Sequence, residues 1–195
     1  MANWWKMMNY FELNDDIAFP NRWWLGKVMQ IDGEVFVKPP FIPVNDERRD
    51  QVYEVELKVN GASTDYTTTS FRSVPLGSFR AIKALSGFDG FTAFPARIIN
   101  FHQQTSYHLL HFWDVLDCFD EARSAFETIP SNDPIRPDLA GNYRSVTKLK
   151  IDPSKALGKH IFRIARLEGR IIVSEDVKKR FEDFGITGAV FDSVV

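Results

Sequence analysis

Leu149-Lys-Ile-Asp-Pro-Ser-Lys155, His160-Ile-Phe-Arg-Ile164, Ile171-Ile-Val-Ser-Glu175 and Gly185-Ile-Thr-Gly-Ala-Val-Phe191 follow one another in the last quarter of a 195-residue chain, and their reading decides the fold. Short apolar runs flank one amphipathic helix. Ser174 is a good N-cap, and Glu175 and Asp176 occupy the first turn, where the helix dipole favours negative charge. Val177, Phe181 and Phe184 fall at i, i+4 and i+7, one stripe of a helix that Gly185 ends. Strands are predicted over 144–151, 160–167 and 170–173, with Glu168-Gly169 as the hairpin turn, and again over 189–195. The fold class is α+β, with mixed, mostly antiparallel sheets and a few short packed helices. The length fits one domain over 1–195, or two intimately packed halves of about 1–100 and 101–195.

Working back toward the start, Val52 to Val59 is the cleanest strand, because Tyr53, Val55, Leu57 and Val59 alternate with more polar residues. Asn60-Gly61 after it is a turn signal. Met7 to Leu13 reads as a first strand punctuated by Asn14-Asp15-Asp16. Trp23-Trp24-Leu25-Gly26 follows the Phe19-Pro20 step. Val35-Phe36-Val37 is stopped by Pro39-Pro40, and Lys38 to Asp50 reads as a surface loop. Thr64 to Ser70 is polar, irregular or an edge strand. Phe79, Ile82 and Leu85 recur at helical spacing between Ser78 and Gly87. Phe91 to Ile99 is strand-like but interrupted by Pro95, and Tyr107 to Trp113 is another strand. Asp117 to Phe126 is predicted as a short helix, and Ile129 to Ala140 as a loop. A faint echo joins Ser78–Phe94 to Ser174–Phe191: helix, Gly-x-x-Gly, strand. The ordinary grammar of a helix stop accounts for it more readily than a duplication.

The chain carries 17 Phe, 5 Trp and 5 Tyr, the aromatic supply of a large core or an interface centre. Its formal net charge of -2 disfavours a general nucleic-acid binder. A single cysteine, Cys118, allows neither an intramolecular disulfide nor a cysteine zinc cluster. The first residues lack a signal-peptide pattern, and no run reaches the roughly 18 apolar residues of a membrane span. The expectation is a soluble cytoplasmic protein.

Catalytic signatures are sparse. No nucleotide-binding glycine motif, serine-nucleophile elbow or His-Glu-x-x-His pattern occurs, so no cofactor, metal or catalytic residue is assigned. His108 and His111 would point to opposite faces of a strand, a poor metal clip. Cys118 beside Asp117 would be a blunted thiol. Trp4-Trp5 and Trp23-Trp24 each place one indole on either strand face, an interface anchor or loop packing. The best candidate site is Trp113 with Asp114, Asp117, Asp120 and Glu121. On a helix most of these carboxylates share one face. That face is a solvated surface, an acidic partner-binding interface, or an acid/base or metal site.

Several segments in their order resemble a family of bacterial immunity proteins from polymorphic toxin systems, first catalogued as a domain of unknown function. They are Tyr10-Phe-Glu-Leu13, Phe71-Arg-Ser-Val-Pro75 with the helix after it, Phe91-Thr-Ala-Phe-Pro-Ala-Arg97, Tyr107-His-Leu-Leu110 with Asp117, Leu149 to Ile164, and Ile172 to Phe191. The order and spacing carry the resemblance; 36–50 and 128–142 match nothing in it. The resemblance implies a non-enzymatic cytoplasmic protein that binds and neutralises a cognate toxin domain, in many such systems a nuclease. It transfers no catalytic motif. An acidic, aromatic-edged surface at Trp113, Asp114, Asp117, Asp120 and Glu121 would suit a basic, phosphate-holding active site. The competing readings are a small carboxylate-dependent hydrolase and a toxin-loading adaptor or chaperone.

Overall fold

The computed structural model describes residues 8–29, 52–71, 74–102 and 105–195. The Trp4-Trp5 pair, the Val35–Val37 run and the loop from Lys38 to Asp50 lie outside these residues. In chain order the strands are β1 (Tyr10–Asp15), β2 (Trp24–Met29), β3 (Tyr53–Val59), β4 (Tyr66–Thr67) and β5 (Leu76–Ser78). After α1 (Phe79–Leu85) come β6 (Phe91–Ile98), β7 (Tyr107–Phe112), β8 (Val115–Leu116), β9 (Ala125–Thr128), β10 (Tyr143–Lys148), β11 (Ile161–Ile164) and β12 (Leu167–Ser174). Then α2 (Glu175–Asp183) leads to β13 (Ala189–Ser193). A six-stranded sheet runs β2-β3-β6-β7-β5-β4, a five-stranded sheet runs β13-β1-β12-β11-β8, and β9 pairs with β10 alone. Only β3–β6 and β8–β11 are parallel strand pairs among the described residues. The class is α+β, weighted strongly toward sheet.

Three apolar clusters hold these layers. One face of the six-stranded sheet packs around Trp23, Tyr53, Phe94 and Tyr107. The opposite face shares a core with the five-stranded sheet and both helices, through Leu85, Leu110, Phe112, Ile171, Val177 and Phe181. A third cluster, including Tyr10, Phe119, Tyr143, Phe162 and Ile172, lies on the far side of the five-stranded sheet. Ile171 and Val173 enter one cluster and Ile172 the other, so the second half of β12 is buried on both faces. That explains its unbroken apolar run, since a strand with two covered faces loses the polar alternation.

Helix ends follow the sequence closely. Ser78 Oγ accepts from Ala81 N–H and Ser174 Oγ from Val177 N–H, each satisfying a donor left open by the first turn. Strand and turn boundaries differ more. Asn14 and Asp15 do not end β1, because they pair with Val190 and Ala189. Pro95 does not interrupt β6; it pairs with His108 on one side, and β3 joins the other side only from Ala96 onward, so no ladder bond is lost. Asn60-Gly61 is not a hairpin turn. Gly61 lies against the Asn21 and Arg22 backbone, with Ala62 N–H donating to Asn21 O at 2.7 Å. The β11–β12 turn is Ala165-Arg166, with Arg166 at φ 62°, and Glu168-Gly169 are in β12. Buried Arg163 favours this register, since its guanidinium donates to Phe112 O at 2.5 Å and Glu168 O at 2.6 Å.

The echo between the two helices extends far beyond grammar. β4, β5, α1, β6 and β7 form one unit, with spatial strand order β6-β7-β5-β4. β11, β12, α2, β13 and β1 form another, ordered β13-β1-β12-β11. Each unit threads its helix between parallel strands that flank an antiparallel middle strand. In the second unit that middle strand, β1, comes from much earlier in the chain. Two registers give the same equivalences. Ser78 opposes Tyr107 as Ser174 opposes Tyr10, and Ala93 opposes Leu110 as Phe191 opposes Leu13. Backbone bonds repeat as well. Trp113 N–H donates to Gly90 O at 3.0 Å as Asp16 N–H does to Gly188 O at 2.9 Å. Phe79 N–H donates to Ser106 O as Glu175 N–H does to Asn9 O. Gly90 abuts Ile161 O of the second unit and Gly188 abuts Tyr66 O of the first, the reciprocity of an approximate twofold axis.

On β7, buried His111 is pushed down to about 4 from 6.5, by burial first and then by the Arg163 charge. The folded chain therefore leaves it neutral where the unfolded chain would protonate it. This stabilisation is complete above pH 6.5 and is lost as pH falls toward 4, to a total of about 3 kcal/mol. Denaturant unfolding at pH 7 and pH 4.5 is expected to show that loss, and His111→Gln to flatten it. An equal slope in the variant would assign the acid sensitivity to other groups.

Candidate functional site

The candidate residues follow β7 directly. Trp113 turns the chain after Phe112, and the extended segment that follows joins the five-stranded sheet as its edge strand β8, parallel to β11. Arg163 N–H donates to Asp114 O at 2.8 Å and Ala165 N–H to Leu116 O at 2.9 Å, fixing the register. Alternation then sets exposure. Trp113 is 38% and Val115 44% exposed, and Asp117 is also exposed, while Asp114 and Leu116 are half-buried. Three side chains thus form one outward ridge on an edge strand.

The helix predicted over 117–126 is absent. Phe119 bridges Ile151, Asp120 N–H donates to Lys150 O at 3.0 Å, and Asp152 N–H donates to Cys118 O at 2.8 Å. Residues 121–123 turn and the chain re-enters as β9. Cys118, Phe119, Ala122 and Phe126 imitate a helical stripe in sequence. However, Cys118 and Phe119 are adjacent and both buried in the third cluster, which an edge segment achieves by twisting.

Without that helix the carboxylates do not share a face. Asp114 meets Lys159 Nζ at 2.8 Å. Asp120 caps its own turn, accepting from Arg123 N–H at 3.1 Å and from the Arg123 guanidinium, which holds its carboxyl below the usual range. Glu121 accepts from Tyr143 OH at 2.7 Å and lies 3.3 Å from the Arg166 guanidinium. Burial and that bond to Glu121 push Tyr143 up to about 12. Asp117 has no hydrogen bond or ion pair among the described residues. The surface therefore offers one open carboxylate beside an indole and a valine, flanked by three carboxylates engaged in separate places. It is suited to contact rather than to paired acid/base chemistry.

The other candidates are distributed across the fold. Cys118 is fully buried, and burial first and then Asp117 push its thiol up to about 11. His108 and His111 lie on opposite faces of β7. His160 Nδ1 is 2.8 Å from Ser174 Oγ at the start of α2. Trp23 is buried, Trp24 is 45% exposed, and the Arg22 guanidinium lies 4.4 Å from the Trp24 ring centroid. No three His, Cys, Asp or Glu side chains converge as a metal site among the described residues. No described helix is long and apolar enough to cross a membrane.

Sequence inspection passed over Asp65, a buried carboxylate at the junction of the two units. It accepts from Ser78 Oγ at 2.7 Å, Arg80 Nε at 3.1 Å, Thr187 N at 3.0 Å and Thr187 Oγ1 at 2.7 Å. It also borders a polar cleft of about 720 Å³ with Arg80, His102 and Tyr107. Its position matches His160 in the other unit, since each contacts the serine that caps the following helix. A lone acid in a polar stretch gives no periodicity to read; only superposing the two echoes would have pointed to it.

A family model described as "Immunity protein family (Imm11)" matches residues 86–195, more than half of the chain. This span holds the whole candidate ridge and runs from the end of α1 through β13. No curated protein matches the chain.

Proposed function

The chain belongs to the Imm11 immunity protein family, and from that premise we propose that it acts in the cytoplasm by binding a cognate toxin domain and blocking its active site, without turning over a substrate. The observation that carries the proposal is the β8 ridge of Trp113, Val115 and Asp117. An edge strand with an exposed indole, an exposed valine and an open carboxylate has the parts of a compact interface: aromatic anchor, apolar flank and steering charge. A basic, phosphate-holding toxin site, as in a nuclease, is the complementary target. Asp114, Asp120 and Glu121 are balanced by Lys159, Arg123 and Arg166, so Asp117 carries the unbalanced charge of the ridge.

Co-purification with the toxin domain encoded beside this chain, scored with that domain's activity, tests the reading. A stable complex with activity abolished is expected. Trp113→Ala is expected to weaken it by about 2 kcal/mol, roughly thirtyfold in Kd. Asp117→Lys is expected to slow association and reduce its salt dependence. Asp117 is exposed, so Asp117→Lys should leave the thermal midpoint unchanged. Trp113 is 38% exposed, so Trp113→Ala should lower it through the lost burial, with the chain still folded at the binding temperature. Wild-type affinity in both variants would remove this ridge from the account. A complex that leaves the toxin active would instead support the adaptor reading.

A further inference from the structure

The two units are alike in backbone and unlike on one outer face, and the difference is local. Beside α1, Ile82, Ser86, Phe91, Ala93, Pro95 and His108 line an open groove of about 530 Å³. Counting from the matched N-caps and strand registers, Ile82 corresponds to Lys178, Ala93 to Phe191 and His108 to Phe11. In the second unit these positions close the groove with the chain's own side chains. Phe191 packs edge-on to Phe181 with centroids 5.8 Å apart. Lys178 Nζ lies 5.5 Å from the Phe11 centroid and 6.0 Å from that of Phe191. Outside it, α2 shows paired charges, Lys178–Glu182 and Lys179–Asp183. On α1 the same side carries Phe79, 48% exposed, and half-buried Ile82.

The first unit therefore lacks a phenyl ring at position 93 that its twin possesses. Phe91, at the position of Ala189, does not replace it; its ring lies toward Phe112, centroids 6.2 Å apart. We propose that this groove is a second docking surface, which seats an aromatic side chain of the toxin where Phe191 sits in the twin. The proposal rests on the toxin-binding reading above. Complementarity defines the guest further. No charged group lines the groove among the described residues, so a charged side chain would find no partner there. His108 Nδ1 is buried and has no hydrogen-bond partner among the described residues. Burial lowers the basicity of this imidazole, so it is neutral at pH 7, and a turn of the ring would present its acceptor nitrogen to the groove. A tyrosine hydroxyl or tryptophan N–H supplies the donor, and its ring supplies the missing apolar volume.

The twin supplies the test substitutions. Ala93→Phe fills the groove from within, and Ile82→Lys gives α1 the residue of α2 at an accessible position. Isothermal titration with the toxin domain encoded beside the chain is expected to show each variant binding at least about tenfold more weakly than wild type. Lys179→Ala, on the closed face, should bind as wild type does. Indole added to the labelled wild-type protein should shift amide signals of Ala93 and His108, and the shifts should vanish in Ala93→Phe. Ile82→Lys keeps the test valid where Ala93→Phe disturbs packing. If wild type binds the toxin and both variants bind within about twofold of it, the groove proposal is overturned and toxin binding stands. If wild type binds no toxin, the functional reading fails and the groove proposal fails with it.

Discussion

Gly188→Ala is expected to lower stability by about 3–4 kcal/mol, which in a domain of this size is roughly 10 °C in thermal midpoint. Gly188 has φ 83°, where a side chain is strained. A Cβ there would also collide with Tyr66 O and lie 2.6 Å from Thr64 Cβ, so the strands of the two units would have to separate. The same motif provides the control. Gly185 has φ 60°, but a Cβ added there would meet nothing within 4 Å, so Gly185→Ala should cost only about 1 kcal/mol. Gly90→Ala should behave like Gly188→Ala, since its Cβ would lie 2.5 Å from Ile161 O, and Gly87→Ala like Gly185→Ala. Thermal unfolding of the four single variants checks the pattern. Equal losses at all four positions would show that backbone conformation alone matters, and that the close approach between units does not.

Asp65→Ala is expected to cost about 3 kcal/mol in denaturant unfolding. Removing the carboxylate leaves the Ser78 hydroxyl, the Thr187 amide and hydroxyl and the Arg80 guanidinium without their shared acceptor. Asp65→Asn should recover only part of the loss, because an amide nitrogen would face donors on one side. The sign of the pH dependence is fixed. Burial alone would raise the Asp65 pKa, but the Arg80 guanidinium and the donors from Thr187 and Ser78 outweigh it and hold it below its ordinary value of 3.8. Its contribution is therefore complete above pH 3.8 and lost as pH falls through the lowered folded value. This window lies below that of His111, so acid unfolding should show two separable regions. A wild-type midpoint for Asp65→Ala would mean that the junction is held by its apolar contacts alone.

What could be read from the sequence follows the range of the forces involved. The caps at Ser78 and Ser174 and the alternation of Tyr53 and Val55 are local, and each lies where its neighbours in sequence put it. The segment from Asp117 to Phe126 is different. Its conformation is decided by Lys150, Ile151 and Asp152, and no window around residue 120 contains them. The Glu168-Gly169 turn fails for the same reason, since Arg163 and its acceptors set the register. At the candidate site, Trp113, Asp114, Asp117, Asp120 and Glu121 follow one another along β8 and the turn after it, and the helical face expected to unite the carboxylates is absent. Asp117 keeps the open role, and Asp114, Asp120 and Glu121 are distinguished from it by Lys159, Arg123 and Tyr143. The groove residues Ile82, Ala93 and His108 carry no motif. Their meaning comes from comparison with Lys178, Phe191 and Phe11, and that alignment requires the strand registers.

The placement of β1 between β12 and β13 has a consequence for biosynthesis. Residues 10–15 leave the ribosome long before residues 167–193, yet both of their hydrogen-bonded edges must wait for them. The first unit can assemble while translation continues, because β4 through β7 are contiguous in the chain. The second unit cannot close until β13 has emerged, and its closure joins segments of very large sequence separation, the slow kind of contact. A nascent chain interrupted before Ala189 would carry an unclosed sheet with a bare β1 edge, which is a ready substrate for chaperones and proteases. The closed sheet would then appear only after β13 has been made, so native structure should lag synthesis of residues 189–193 by the time needed to close that last strand.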